Sequence, residues 1–260
     1  MRKSFFILII FLIALVIINQ CDSNSTTTNE EAAYLTVSVT DAPAAYDSVI
    51  IVFSEISAHI NSMWYYMKQE PVRVNLLEWN NGKTFRLTSN EVPSGQCTQI
   101  RIKIDEAYIG VNNQVHELDV PSGSTSGLKL GTDFTIKEGI TYNVVLDFDA
   151  DKSIVVTGPK KNPKGYKLKP HIRVIVDANV GSISGTVLNP ERSPYAHALT
   201  GDDTVTTTKV DTATGYFKLA FLPQNIYTVI VEDTSGRNYT RESVPVLVKQ
   251  DYYLGEITLE

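Results

Sequence analysis

The chain reads as all-β: two consecutive antiparallel β-sandwich domains following a signal peptide and a short flexible tether. Three observations predict this. Short stretches in which β-branched and apolar residues alternate with polar ones recur along the chain, punctuated by Gly, Pro, Asn and Ser, the pattern of half-buried strands joined by turns. No window sustains capped apolar spacing at i, i+3, i+4 and i+7, so helix is expected only as a turn or two near Glu78 or Ala44. The length of 260 residues, 43% hydrophobic and 20% charged, accommodates two ordinary cores, and thirteen Tyr against two Trp suit a β protein outside the cytoplasm. The formal net charge of -6 argues against a nucleic-acid binder, which needs clustered Lys and Arg to neutralise phosphates.

The N-terminal segment carries Arg2 and Lys3, then an apolar run over residues 5–18, then Asn19, Gln20 and Cys21. That run is shorter than the roughly 20 residues of a membrane-spanning helix and has the pattern of an export signal, so residues 1–20 are expected to be a signal peptide. A cysteine directly after such a core is where bacterial lipoproteins are cleaved and acylated, and this resemblance implies that Cys21 is the lipidated first residue of the mature protein. Gln20 and Ile18 depart from the usual box, which keeps an uncleaved anchor or plain secretion open as alternatives. Residues 21–32 are Ser, Thr, Asn and acid with almost nothing apolar to fold around, and read as a tether.

From residue 33 the strands follow in order. Residues 34–40 alternate and end at Asp41-Ala42-Pro43, an Asx-type turn. Residues 49–60 begin with a continuous apolar run, expected to be buried on both faces, before alternation returns. Short strands follow at residues 64–67 and 72–77, and Asn80-Asn81-Gly82 is a turn signal. Residues 100–104 alternate, residues 110–113 turn the chain, and residues 114–120 run back. The stretch over residues 120–176 then holds three strands or strand ends, at residues 122–130, 144–154 and 168–176. A fresh alternating pattern starts at Gly181, which sets the domains at residues 33–178 and 179–260.

The candidate chemistry is concentrated in that central stretch. Asp147 and Asp149 stand two apart, so on a strand they share a face, and Asp151 follows just past its end. A hard cation such as calcium takes several carboxylate and carbonyl oxygens at about 2.4 Å. The pattern lacks the Gly and the terminal Glu of an EF-hand, and the competing reading is a solvent-facing acidic strand closed by an Asx turn through Asp151 and Ser153. Asp41 or Asp105 would add a ligand only if the fold brought it near. Lys160, Lys161, Lys164 and Lys167, followed by Lys169, His171 and Arg173, form a basic run that would meet an anionic glycan or headgroup. Solvated hairpin charge that protects a sheet edge is the competing reading. His59, His116, His171 and His197 are scattered without zinc spacing. Gly181-Ser182-Ile183-Ser184-Gly185 has Ile where a hydrolase elbow needs its serine. Cys97 reads as a small buried apolar residue, with a disulfide to Cys21 as the alternative.

Thr40-Asp41-Ala42-Pro43, Asp147-Phe148-Asp149-Ala150-Asp151-Lys152-Ser153-Ile154 and Leu168-Lys169-Pro170-His171-Ile172-Arg173-Val174, in that order and spacing, resemble the bacterial envelope family known as domain of unknown function 4382 over roughly residues 33–178. The resemblance implies a fold and an envelope setting but no mechanism. Residues 181–187, 212–219, 222–231 and 253–259 resemble a carboxypeptidase regulatory-like, transthyretin-like sandwich. That resemblance implies a carbohydrate-binding-like fold used as a spacer or docking module, although residues 189–203 lack the usual P-L-x-G-A-x-V continuation, which leaves the second strand open. Together these readings give a lipoprotein of the cell envelope, anchored to a bacterial membrane and facing periplasm or exterior. It is expected to act without catalysis as a binding or scaffolding module for carbohydrate or an envelope protein, with no cofactor unless calcium. The alternative is a metal-dependent hydrolase of glycans or phosphoesters built on Asp147, Asp149 and Asp151.

Overall fold

The computed structural model describes residues 32–121, 127–159 and 163–260. The signal peptide, the tether, Cys21, Lys160 and Lys161 therefore lie outside the described residues.

The first twelve strands are β1 (Ala33–Asp41), β2 (Ser48–Ile60), β3 (Met63–Lys68), β4 (Val72–Asn75), β5 (Phe85–Val92), β6 (Gly95–Val111), β7 (Gln114–Asp119), β8 (Leu128–Ile136), β9 (Thr141–Phe148), β10 (Ile154–Thr157), β11 (Gly165–Leu168) and β12 (Ile172–Val176). They build a four-stranded sheet in the order β12-β9-β1-β5. Facing it is a larger sheet in the order β10-β11-β7-β6-β2-β3, with β4 also on β2 and β8 also on β6. Alternation decides what each strand turns inward. Leu35, Val37 and Val39 of β1, Phe53 of β2, Ile100, Ile102 and Ile104 of β6, and Val144, Leu146 and Phe148 of β9 fill one continuous core.

The next seven strands are β13 (Val180–Val187), β14 (Tyr195–Thr200), β15 (Asp203–Lys209), β16 (Tyr216–Pro223), β17 (Asn225–Glu232), β18 (Asn238–Val246) and β19 (Asp251–Ile257). They form a three-stranded sheet, β16-β13-β19, and a four-stranded sheet, β15-β14-β17-β18. Ile183, Phe217, Leu219, Tyr227, Val229 and Val231 make a second core. The protein is thus all-β and of sandwich type, as its alternation predicts. Residues 189–203, where the expected second strand is missing from the sequence pattern, nevertheless contain β14, which buries Ala196 and Ala198.

Three of the four sheets are mixed, and for these the antiparallel expectation needs correction, whereas β15-β14-β17-β18 is antiparallel throughout. Among the described residues β1 runs parallel to β9, β7 to β11, and β13 to β19. Alternation has the same period in either direction, so the sequence pattern is blind to this. Helix is sparse. A 3-10 turn covers Leu76–Glu78, another covers Asp177–Asn179, and one helical turn, α1 (Ala150–Ser153), follows β9.

A small apolar cluster joins the two sandwiches. Val145 of β9 and Ile175 of β12 are cross-strand neighbours on the outer face of the four-stranded sheet, and they pack with Val180 and Phe221. This explains why Val144, Val145 and Leu146 are all buried: one face meets the first core and the other meets the second sandwich. Phe221 holds φ +58 at an irregularity of β16, a strained conformation for a bulky residue. The Asn81-Gly82 turn, with φ 57 and 79, reaches the same seam. Asn81 Oδ1 accepts from the backbone N–H of Lys218, and its amide lies 3.5 Å from the Tyr216 carbonyl.

Candidate functional site

The Asp41 turn is the point where the three sequence motifs of the first sandwich meet. The backbone N–H of Asp41 donates to the Trp79 carbonyl at 2.9 Å, and the Thr40 hydroxyl donates to the same carbonyl at 2.8 Å. Ala42 N–H donates to the Phe148 carbonyl at 3.2 Å, and Ala150 N–H donates to Asp41 Oδ1 at 2.9 Å. The third motif closes on the second: Asp149 N–H donates to the His171 carbonyl at 3.0 Å, and His171 N–H donates to Ser153 Oγ at 2.8 Å. These residue types are therefore explained as the hydrogen-bond partners of otherwise orphaned backbone groups at strand ends.

The acids expected to hold calcium are placed as follows. Asp147 points to the outer face and accepts from Arg173 Nη2 at 2.7 Å and Nε at 3.1 Å, a cross-strand pair in register. Asp149 caps α1, accepting from Lys152 N–H at 3.0 Å, while its other oxygen pairs with Lys152 Nζ at 2.8 Å. The Asx cap thus sits at Asp149 instead of Asp151, because the chain enters a helical turn directly after β9. Asp151 is exposed and makes no ion pair among the described residues. No group of three His, Cys, Asp or Glu side chains is arranged for a metal among the described residues.

Asp41 is the acid that these pairings leave over. It is 5% exposed, and Oδ2 has no hydrogen-bond partner. Burial raises its pKa well above the ordinary carboxylate range; the Ala150 hydrogen bond opposes the rise, and Asp147 and Asp149 add to it.

Of the candidate basic run, Lys164 is exposed near the β10–β11 hairpin, and Lys167 on β11 pairs with Asp119 at 3.4 Å, both largely exposed. Cys97 is buried on β6, and burial pushes its thiol up to about 11, away from nucleophile chemistry.

A polar cleft that no sequence motif marks lies between the sandwiches. It has a volume of about 350 Å³ and is lined by Asn143 and Asp177 from the first sandwich and by Lys218, Lys249, Gln250 and Asp251 from the second. A neighbouring hollow of about 330 Å³ shares Asn143, Asp177, Val180 and Lys249 with it. Asp251 is fixed there by the hydroxyls of Ser182 and Ser184 and by Lys218 Nζ at 3.6 Å. Burial alone would raise its pKa, but those donors outweigh burial and hold it below the usual carboxylate value. Lys249, at φ 59, is exposed and forms no ion pair among the described residues. The cleft therefore presents donors, acceptors and both charges on a fixed frame, within the usual volume range of small-ligand sites.

No curated protein matches the chain. Among solved structures, the Bacillus anthracis TIE protein is similar at 10% identity and TM-score 0.24, over 88% of this chain and 51% of that one. A leucine-rich repeat protein from Bacteroides thetaiotaomicron follows at 11% identity and TM-score 0.21, over 88% of this chain and 26% of that one. The chain thus spans about half and about a quarter of those proteins, and likeness at these scores carries no argument. The family model is different in weight. Described as a domain of unknown function (DUF4382), it matches residues 32–170, which take in the Asp41 turn, all of β1 to β11 and the α1 cap. With the match spanning just over half of its length and all three motifs locked together as one hydrogen-bonded unit, this chain belongs to the DUF4382 family.

Proposed function

We propose that the protein is a lipoprotein of the bacterial cell envelope, acylated at Cys21, that binds without catalysis. Its ligand is a polar glycan segment seated in the cleft between the two sandwiches. The observation that carries this reading is the cleft itself: about 350 Å³, with hydrogen-bonding side chains from both sandwiches among its walls, beside the apolar Val180, Ala220 and Phe221. The second sandwich, which resembles a carboxypeptidase regulatory-like module, supplies Lys218, Lys249, Gln250 and Asp251 and so takes part in recognition as well as spacing. No helix among the described residues is long and apolar enough to cross a membrane. The hydrolase alternative has less support, because Asp147 is held by Arg173 and Asp149 by Lys152 and the α1 cap, leaving neither free to act on a substrate.

The test is a glycan array probed with the purified protein, followed by titration of any bound glycan against Lys249→Ala and Asn143→Ala. Each variant is expected to weaken binding at least tenfold. An array without a bound glycan, or binding that survives both substitutions, overturns the reading.

A further inference from the structure

One buried carboxylate beside β9 lacks a counter-charge among the described residues. Arg173 answers Asp147, Lys152 answers Asp149 and Lys218 answers Asp251, whereas Asp41 has no ion-pair partner among the described residues. Asp41 is nine-tenths buried, its Oδ2 has no hydrogen-bond partner, and it lines a small hollow that adjoins the glycan cleft, the two sharing Gly82, Lys218, Ala220 and Phe221. The hollow has a volume of about 20 Å³, room for one water-sized particle. Its other walls include Asp147 from the first sandwich and, from the second, Lys218 of β16 and the threonines Thr206, Thr207 and Thr208 of β15.

We infer that this hollow is a single-ion site for a small hard cation, held by the Asp41 and Asp147 carboxylates and completed by threonine oxygens of β15. A water molecule would satisfy the lone pairs of Oδ2 but not its charge; a cation does both. Lys218, which also lines the hollow, is paired through its Nζ with Asp251 at 3.6 Å. The donor set is oxygen throughout, which selects sodium, magnesium or calcium and excludes softer metals. With only two carboxylates, one of them already neutralised by Arg173, binding is expected to be weak and reversible. Because the walls come from both sandwiches, the ion would clasp the Asp41 turn to β15.

The experiment is calorimetric melting of the full chain after chelator treatment, in calcium, magnesium, sodium and choline chloride at matched ionic strength. One of the three inorganic cations should raise the melting temperature by roughly 5–10 °C at a hundredfold excess over its Kd, and calorimetric titration should give one equivalent. Asp41→Asn should abolish the shift. Should that variant fail to fold, Thr206→Val should weaken the same cation's binding while leaving the choline melt in place. Superimposable wild-type melts in all four salts overturn the inference and leave Asp41 protonated or hydrated. A cation effect that persists undiminished in Asp41→Asn or, where that variant does not fold, in Thr206→Val also overturns it, because the ion is then bound elsewhere.

Discussion

Arg173 is the residue on which the electrostatics of the first sandwich turn. It stands in register with Asp147 and carries that carboxylate's only ion pair among the described residues, beside two further acids, Asp41 and Asp149. Removing it leaves Asp147 half-buried and uncompensated. Arg173→Ala is expected to cost about 1–3 kcal/mol in urea unfolding, and adding Asp147→Asn should recover most of the loss, since an amide needs no counter-charge. A double variant no more stable than Arg173→Ala would show that packing, not charge, is what Arg173 supplies. In the sequence Arg173 reads as the last member of a basic run, but its partner lies 26 residues away, and only pairing between β9 and β12 brings them together. The cleft is hidden for the same reason. Lys218 on β16 is remote in sequence from the Lys249-Gln250-Asp251 run that opens β19, and only the pairing of both strands with β13 brings them together.

Among the elements, α1 shows most plainly what a local pattern can and cannot reveal. Asp149 is legible as an acid following a strand. That it caps a helical turn depends on Asp41 accepting from Ala150 N–H across the sheet, which fixes the first helical residue. Asn caps as well as Asp does, so Asp149→Asn should be nearly neutral by thermal melt, whereas Asp149→Ala should cost about 1 kcal/mol. Equal losses in the two variants would assign the effect to the Lys152 pair instead of the cap. Strands with clean alternation, such as β1 and β2, are readable within a residue or so of their ends. By contrast β5, β15 and β18 are not identified at all. β18 exposes most of its residues, and β15 is largely threonine at the sheet edge, so neither gives the apolar alternation that marks a strand.

At the scale of the molecule, the two cores are separate clusters, bridged by Val145, Ile175, Val180, Phe221 and the Asn81 turn. A fragment from Gly181 to Glu260 keeps the entire second core and is expected to give a folded far-ultraviolet spectrum. It should melt below the full chain, because Phe221 loses its cover. An unfolded spectrum in native buffer would mean that the second sandwich depends on the first. The placement of β1 has a kinetic consequence. It lies between β5 and β9, and its parallel partner is roughly a hundred residues further along the chain. A polypeptide emerging N-terminus first cannot finish that sheet until β9 has appeared, so the early strands wait with one edge unpaired. More than half of the chain must therefore be made before the first sandwich can close.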